Sequence, residues 1–152
     1  MKRFLLFATL LLTINTISNA QAWDGKGDTK INVGYEFYGY STTSNLGNTQ
    51  DGLTSTIDYG ICENISIGAG IKYNFVSTNF YFNLRSDYHF QNFFKLSSNF
   101  DVYTGADIGL NTYHENNWDL GFHVGTRFMF TDAIGIYLEI GNRGNAGLSY
   151  NF

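Results

Sequence analysis

The sequence predicts an all-β fold, an eight-stranded antiparallel up-and-down transmembrane β-barrel, and three observations carry this prediction. Eight runs between residues 30 and 152 alternate between apolar and polar residues, the period of a strand with two unlike faces. Turn-type residues separate these runs at hairpin spacing. Charged residues make up only 14% of the 152 residues, whereas soluble domains carry about 25%.

The first four predicted strands lie at 30–40, 52–61, 65–75 and 80–90. The third run alternates most cleanly, because Ile67, Ala69 and Ile71 share one face while Gly68 and Gly70 share the other. In the other three runs, charged residues and glycines identify the polar face of the strand. These residues are Gly34 and Glu36 in the first run, Asp58 and Gly60 in the second, and Arg85 and Asp87 in the fourth.

The last four predicted strands lie at 95–110, 120–130, 134–141 and 146–152. In the sixth run, Phe122 and Val124 face away from His123, Gly125 and Arg127. The polar-face residues of the other runs are Asp101 and Asp107 in the fifth, Glu139 in the seventh and Gly147 in the eighth.

The connections between the runs predict how the strands are joined. Tight links are expected at 62–64, 91–94 and 131–133, and longer polar links at 41–51 and 111–119. Links at 76–79 and 142–145 are short although they lie on the long-loop side. Consecutive antiparallel strands with such links form a meander, and eight strands are enough to close it.

A closed barrel with one apolar face can turn that face inward, as a carrier of lipids does, or outward, as a membrane barrel does. A polar face in water should carry about 25 to 35% charge, but this one is built mainly of Gly, Asn, Ser and Thr and holds 11 of the 17 glycines. We therefore place the apolar face outward and predict a polar lumen core. Its charged residues are Glu36, Asp58, Lys72, Arg85, Asp87, Asp101, Asp107, Arg127 and Glu139.

The lumen of an eight-stranded barrel is just wide enough for side chains to fill, so the charges predict a packed core and not a pore. Hairpin geometry places Arg85 near Asp101 and Arg127 near Glu139. Such pairs are expected, since unpaired buried charge is costly.

Possible catalytic and metal-binding residues are few. Glu36 and Asp58 could approach each other across the first hairpin as a carboxylate pair, for which we predict a structural use. His89, His114 and His123 lack the short spacing of metal ligands, so no metal and no cofactor is predicted.

The N-terminus has the layout of a cleavable secretory signal. Two basic residues precede an apolar stretch over 4–12, which is too short to remain as a spanning helix. Ala20 and Ala22 each offer the small residue that precedes a cleavage site. We predict a signal peptide over 1–20, cut after Ala20 or Ala22, and one barrel domain over 21–152.

Other classes of protein are excluded by composition. The chain has 14 Phe, 11 Tyr and 2 Trp, and a chain so aromatic and poor in charge is not disordered. Beyond the N-terminus, no apolar run approaches the roughly 18 to 20 residues of a spanning helix. Nine basic residues against 13 acidic ones argue against nucleic acid as a partner.

The last eight residues, Asn145 to Phe152, resemble the terminal assembly signal of outer-membrane barrel proteins, with Gly147 followed by aromatic residues at Tyr150 and Phe152. With the export signal and the eight runs, the chain resembles the small eight-stranded outer-membrane barrels of the OmpA and OmpX kind. The resemblance implies a monomer in the outer membrane of a Gram-negative bacterium, in contact with outer-membrane lipid and inserted by the barrel assembly machinery.

The predicted function is therefore that of a non-enzymatic integral outer-membrane barrel with a structural or surface role. One alternative is a soluble exported up-and-down barrel that binds a hydrophobic ligand, and another is a lipid-modifying enzyme that uses Glu36, Asp58 or His123. The lipid A deacylase family carries a Ser two residues after its His, whereas His123 is followed by Val124 and Gly125. A narrow pore is a third possibility.

Overall fold

Alternation of apolar and polar residues produces eight consecutive strands in a computed structural model, which describes residues 20–39, 51–112 and 118–152. Each strand pairs antiparallel with the next, and the first also pairs with the last, so the sheet closes on itself. The predicted eight-stranded up-and-down barrel is confirmed. The strands are β1 (Thr29–Gly39), β2 (Gly52–Cys62), β3 (Ile65–Asn74), β4 (Asn79–His89), β5 (Phe100–Asn111), β6 (Trp118–Met129), β7 (Ile134–Gly141) and β8 (Arg143–Asn151).

Two predicted strand starts were wrong. The fifth strand begins at Phe100 and not at 95, because a short helix, α1 (Gln91–Phe94), precedes it and Lys95 ends that helix in the left-handed region at φ 51°. The Ser98 carbonyl lies outside the ladder and accepts hydrogen bonds from Gln91 Nε2 at 2.9 Å and from the backbone N–H of Ala22 at 2.7 Å.

The eighth strand begins at Arg143, three residues before its predicted start at 146. Gly144 and Arg143 pair with Tyr38 and Gly39 of β1, beyond a register shift between Glu36 and Tyr38. The residues taken for a turn therefore extend the ladder, and only residue 142 separates β7 from β8.

The barrel is apolar outside and polar inside. Among the described residues, 22 polar or charged residues are buried but only seven hydrophobic ones. Strand neighbours show the inversion clearly, since Leu84 is 66% exposed on the outer face whereas Arg85 is 6% exposed in the lumen. The core of this fold is thus an electrostatic network, and the apolar side chains lie on the outer wall.

The seam between β1 and β8 closes the barrel through a glycine pair. Gly34 lies opposite Gly147, and the phenol oxygen of Tyr137 occupies the space that a Cβ at Gly34 would need. A Cβ at Gly147 would meet the Val33 carbonyl oxygen and the Cα of Gly34, which are backbone atoms and cannot rotate away. Glycine at this seam thus permits the close approach of two backbones beneath an aromatic ring.

Gly147→Ala is expected to lower the free energy of unfolding by about 1 to 3 kcal/mol, the usual cost of overpacking. Urea unfolding of the protein folded in lipid vesicles measures this difference. Leu148→Ile is the control, because Leu148 is 61% exposed on the outer wall and its replacement retains volume. Equal stability of the two variants would contradict the crowding at the seam.

The two ends of the barrel differ in their connections. The links 63–64, 90–99 and 130–133 lie at one end, here called the turn end, together with the residues before β1 and after β8. At the other end, the loop end, β1 ends and β2 begins, residues 75–78 join β3 to β4, β5 ends and β6 begins, and residue 142 joins β7 to β8. In the described part of the chain, no helix is long and apolar enough to cross a membrane.

Candidate functional site

The candidate site is the charged interior of the barrel. All nine predicted lumen residues are buried there, because the period of two turns each of them toward the axis. They form three layers along the axis: a loop-end layer, a central layer and a turn-end layer. The nine residues are Glu36, Asp58, Lys72, Arg85, Asp87, Asp101, Asp107, Arg127 and Glu139.

Arg85 organises the central layer. Its guanidinium forms ion pairs with Glu139 at 2.6 Å, with Asp87 at 2.9 Å and with Asp58 at 3.3 Å. His123 Nε2 lies 2.8 Å from both Arg85 Nη2 and Asp87 Oδ1, so the tautomer of this imidazole decides which of the two it bonds. One fixed cation therefore holds carboxylates from three different strands.

Tyr103 and Arg127 complete the central layer on its turn-end side. The Tyr103 hydroxyl donates to Glu139 at 2.9 Å. The Arg127 guanidinium lies 5.3 Å from the centre of the Tyr103 ring and 3.8 Å from the Asp58 carboxylate. Asn32 donates to the other side of this layer, at 3.0 Å to Asp58. A cation packed on an aromatic face and paired with a carboxylate is stabilised on both sides.

The loop-end layer contains two ion pair groups. Lys72 is hydrogen-bonded to Glu36. Arg143 contacts Asp107 at 3.0 Å and Asp119, and its guanidinium lies 4.1 Å from the centre of the Tyr81 ring. The Tyr81 hydroxyl donates to Asp107 at 2.8 Å.

The turn-end layer is centred on His89. Its Nδ1 lies 2.6 Å from Asp101 and its Nε2 lies 3.1 Å from the Ser66 hydroxyl, so both ring nitrogens have partners. Lys30 donates to Asp28 at 2.8 Å in the same layer.

Of the pairings predicted from hairpin geometry, that of Arg85 with Asp101 was wrong, whereas Arg127 lies diagonal to Glu139 as predicted but is not its ion-pair partner. Arg85 lies opposite Asp107, not near Asp101, and its ion pairs reach β2 and β7. Glu139 pairs with Arg85, not with Arg127.

Glu36 and Asp58 do not meet either. Glu36 lies opposite Gly52 and bonds Lys72, whereas Asp58 lies opposite Lys30. The errors for Arg85 and Glu36 come from strand register, which places these residues opposite Asp107 and Gly52. The Arg85–Glu139 ion pair could not be read from hairpin register, because it crosses the narrow lumen from β4 to β7.

Four charged members of the interior were missed by the sequence analysis: Asp28, Lys30, Asp119 and Arg143. Lys30 shares the parity of Glu36 in the first run, and Asp119 shares that of His123 in the sixth, so the period of two could have identified both. Arg143 was assigned to a turn.

The described interior therefore holds eight carboxylates against five Lys and Arg side chains. His123 lies against Asp87, and His89 lies against Asp101. Two imidazoles therefore also contact these carboxylates, which outnumber the Lys and Arg side chains. Mutual pairing of this kind is what allows buried charges to be tolerated.

One small cavity lies between these side chains. A cavity of about 40 Å³ lies among Glu36, Lys72, Arg85 and Asn145, which is room for a few water molecules. Asn145 Oδ1 and the Tyr137 hydroxyl are buried polar atoms with no partner among the described residues, and water in such spaces satisfies atoms of this kind. A polar interior of this volume does not fit the alternative of a carrier for a hydrophobic guest.

Within residues 20–39, 51–112 and 118–152, no three His, Cys, Asp or Glu side chains are grouped so that they could hold a metal ion. His114 lies outside the described residues.

Of the predicted assembly signal, Gly147 and Tyr150 lie on opposite faces of β8, and Phe152 follows the end of the strand. Gly147 lies at the seam with β1, whereas Tyr150 and Phe152 are 44% and 75% exposed on the outside at the turn end. The two rings are in edge contact at 4.9 Å. Their arrangement leaves an aromatic pair accessible at the end of the chain.

Three solved structures with a similar fold include a designed transmembrane barrel and a β-barrel domain of a bacterial protein. A de novo designed transmembrane β-barrel is similar with a TM-score of 0.70 and 14% identity, over 86% of this chain and 99% of that chain. The designed protein TMB2.3 is similar with a TM-score of 0.61 and 21% identity, over 85% and 97% of the two chains. The N-terminal β-barrel domain of Pseudomonas aeruginosa OprF has a TM-score of 0.59 and 12% identity, over 85% and 100%.

These structures confirm the resemblance to small eight-stranded outer-membrane barrels at the level of the fold. No curated protein matches the sequence. The model of a protein family described as a family of unknown function, DUF6646, matches residues 13–144. The match spans most of the chain, and the protein therefore belongs to the DUF6646 family.

Proposed function

We propose that this protein is an exported, integral outer-membrane β-barrel that acts without catalysis and without conducting ions, in a structural or surface role. The observation that carries the proposal is the inversion of the barrel. Large hydrophobic side chains cover the outer wall, whereas the buried residues are mostly polar. Contact of that wall with hydrocarbon chains, and not with water, accounts for its near absence of charge.

The dimensions of the strands support the same proposal. They are eight to 12 residues long, and about 10 residues rising ~3.3 Å each at a tilt near 45° cross an apolar band of roughly 25 Å. The outer wall therefore matches the thickness of a bilayer.

Aromatic clusters at both ends fit the two interfaces of such a membrane. At the loop end, the ring centres of Tyr73 and Phe80 lie 5.0 Å apart. At the turn end, the ring of Phe90 contacts Tyr88 at 4.9 Å and Phe94 at 5.6 Å. Amphipathic and aromatic rings concentrate at the level of lipid headgroups in membrane barrels.

The filled lumen supports a role that does not involve conduction. Arg85 and Arg127 both lie across the interior and are tied to Asp58. The cavity beside Arg85 measures only about 40 Å³, which supports the proposal that side chains fill the lumen.

The non-catalytic proposal rests on the use of the polar residues as one another's partners. Glu36 bonds Lys72, and His123 lies against Asp87 and Arg85. We expect that replacing Glu36, Asp58 and His123 by Ala leaves the lipid composition of the cell unchanged. We also propose that the protein is a monomer inserted by the barrel assembly machinery.

Reconstitution tests this function directly. The purified protein is expected to float with lipid vesicles, to migrate faster on a gel before boiling than after, and to produce no conductance steps in planar bilayers. Recovery of folded protein from a washed, membrane-free periplasmic fraction would contradict the membrane assignment. Conductance steps that change with Arg85 or Arg127 would contradict the closed lumen.

A further inference from the structure

The residues before β1 do not leave the barrel but enter its turn end. Ala22 is fully buried and Trp23 is only 3% exposed, although neither belongs to a strand. Ala20 and Ala22 both pack with Met129 of β6 inside the mouth. An N-terminal segment without a docking site is normally mobile and exposed, so this burial requires a specific seat.

The seat is formed by groups from four parts of the turn end. The backbone N–H of Ala22 donates to Ser98 at 2.7 Å, and its carbonyl accepts from Arg127 at 3.4 Å. The indole N–H of Trp23 donates to the Glu63 carbonyl at 2.6 Å. Its ring stacks on His89 with centroids 3.5 Å apart and an interplanar angle of 3°. Both polar groups of the Ala22 backbone are thus satisfied by the barrel itself.

A glycine turn brings the chain back from this seat into β1. Gly25 and Gly27 adopt φ values of 84° and 93°, which L side chains rarely adopt. The Gly27 N–H donates to the Gly60 carbonyl at 2.8 Å, and a Cβ at Gly60 would collide with the Gly25 carbonyl oxygen. Gly60 of β2 therefore has no side chain at the point where the turn crosses the strand.

We propose that the export signal is removed between Ala20 and Gln21, so that residues 21–28 remain as a plug in the turn-end mouth. This inference rests on the proposed export of the protein. It selects one of the two cleavage positions that small residues alone allow.

Burial of charge favours the cut after Ala20. A cut after Ala22 would place a new ammonium group on Trp23, which is only 3% exposed, and taking a charge out of water is costly. The same cut would remove the acceptors of Arg127 and Lys30, which bond the carbonyls of Ala22 and Gln21. A cut after Ala20 places the ammonium on Gln21, which is partly exposed, and retains these bonds.

Mass spectrometry of the N-terminal peptide from purified membranes is the first test. We expect a peptide that begins at Gln21, either as glutamine or as the ring formed when its amine displaces ammonia from the side-chain amide. A peptide that begins at Trp23, or an uncut chain, would overturn the inference. Flotation with lipid vesicles tests the membrane location independently of the cleavage site. A chain that begins at Trp23 but still floats would therefore overturn only the inference about cleavage.

Cysteine labelling tests whether the plug is seated. In a Cys62→Ser background, which removes the exposed native thiol, Ala22→Cys is compared with Asp24→Cys, an exposed position in the same segment. In opened vesicles, a maleimide is expected to modify the cysteine at 22 at least about tenfold more slowly than that at 24, since labelling at 22 requires local opening. Equal rates in folded protein would overturn the plug.

A tryptophan measurement covers the case in which Ala22→Cys does not fold. Trp118→Phe leaves Trp23 as the single tryptophan, and Trp23→Phe leaves Trp118, which is 58% exposed on the outer wall. In detergent, acrylamide in the aqueous phase is expected to quench Trp23 only after unfolding. Strong quenching of Trp23 in the folded barrel would also overturn the plug.

Discussion

Replacing Arg85 by Met is expected to lower the free energy of unfolding by about 3 to 5 kcal/mol, the cost of removing one partner from a buried ion pair. The guanidinium lies among Asp58, Asp87 and Glu139 at 2.6 to 3.3 Å. Met fills a similar volume but leaves these carboxylates buried without their shared cation. Urea unfolding in lipid vesicles measures the change.

Two further variants distinguish the loss of the ion-pair network from the loss of one positive charge. Lys95→Met removes one positive charge from an exposed position after α1 and is expected to change stability by less than about 0.5 kcal/mol. Arg85→Lys retains the charge without the planar fork of donors and should fall between the two. Similar losses for Arg85→Met and Lys95→Met would show that the central layer does not stabilise the fold.

Replacing the preceding residue tests the opposite face. Leu84→Lys is expected to cost roughly 2 to 4 kcal/mol, because it places an ammonium group in hydrocarbon near the bilayer midplane. Leu84 is the sixth of the 11 residues of β4 and is 66% exposed on the outer wall. The same vesicle unfolding experiment measures this cost.

The matched control is Leu53→Lys, the same substitution on the same outer wall. Leu53 is the second residue of β2, close to the loop end, and is 52% exposed. A lysine there reaches the interface, so a cost of about 0 to 1 kcal/mol is expected. Equal small costs at both positions would indicate that water, and not lipid, surrounds the barrel.

The fold could be predicted because its signal is local and repeated. A residue such as Ile67 and its neighbour Ser66 must face opposite sides of any strand, and this rule holds without knowledge of the partner strand. The errors fell at strand ends, where Leu96 and Ser98 alternate by chance. Their backbone groups form hydrogen bonds with Gln91 and with Ala22 instead of with a neighbouring strand.

The sequence could predict which residues lie in the lumen but not which of them form ion pairs with one another. Parity alone places Arg85 and Glu139 inside, yet their contact joins β4 to β7 across the lumen. Such a contact depends on the radius of the closed barrel and on the stagger of its strands, neither of which one strand encodes. The same holds for Trp23, whose partner His89 is distant in sequence.

The sequence by itself determined the number of strands, the face that each residue takes and the uncharged character of the outer wall, because a period of two is a property of single strands. Only the tertiary structure decided which carboxylates share Arg85 and that residues before β1 enter the turn end. These contacts form only when β1 meets β8, since closure brings side chains of opposite walls within reach of one another.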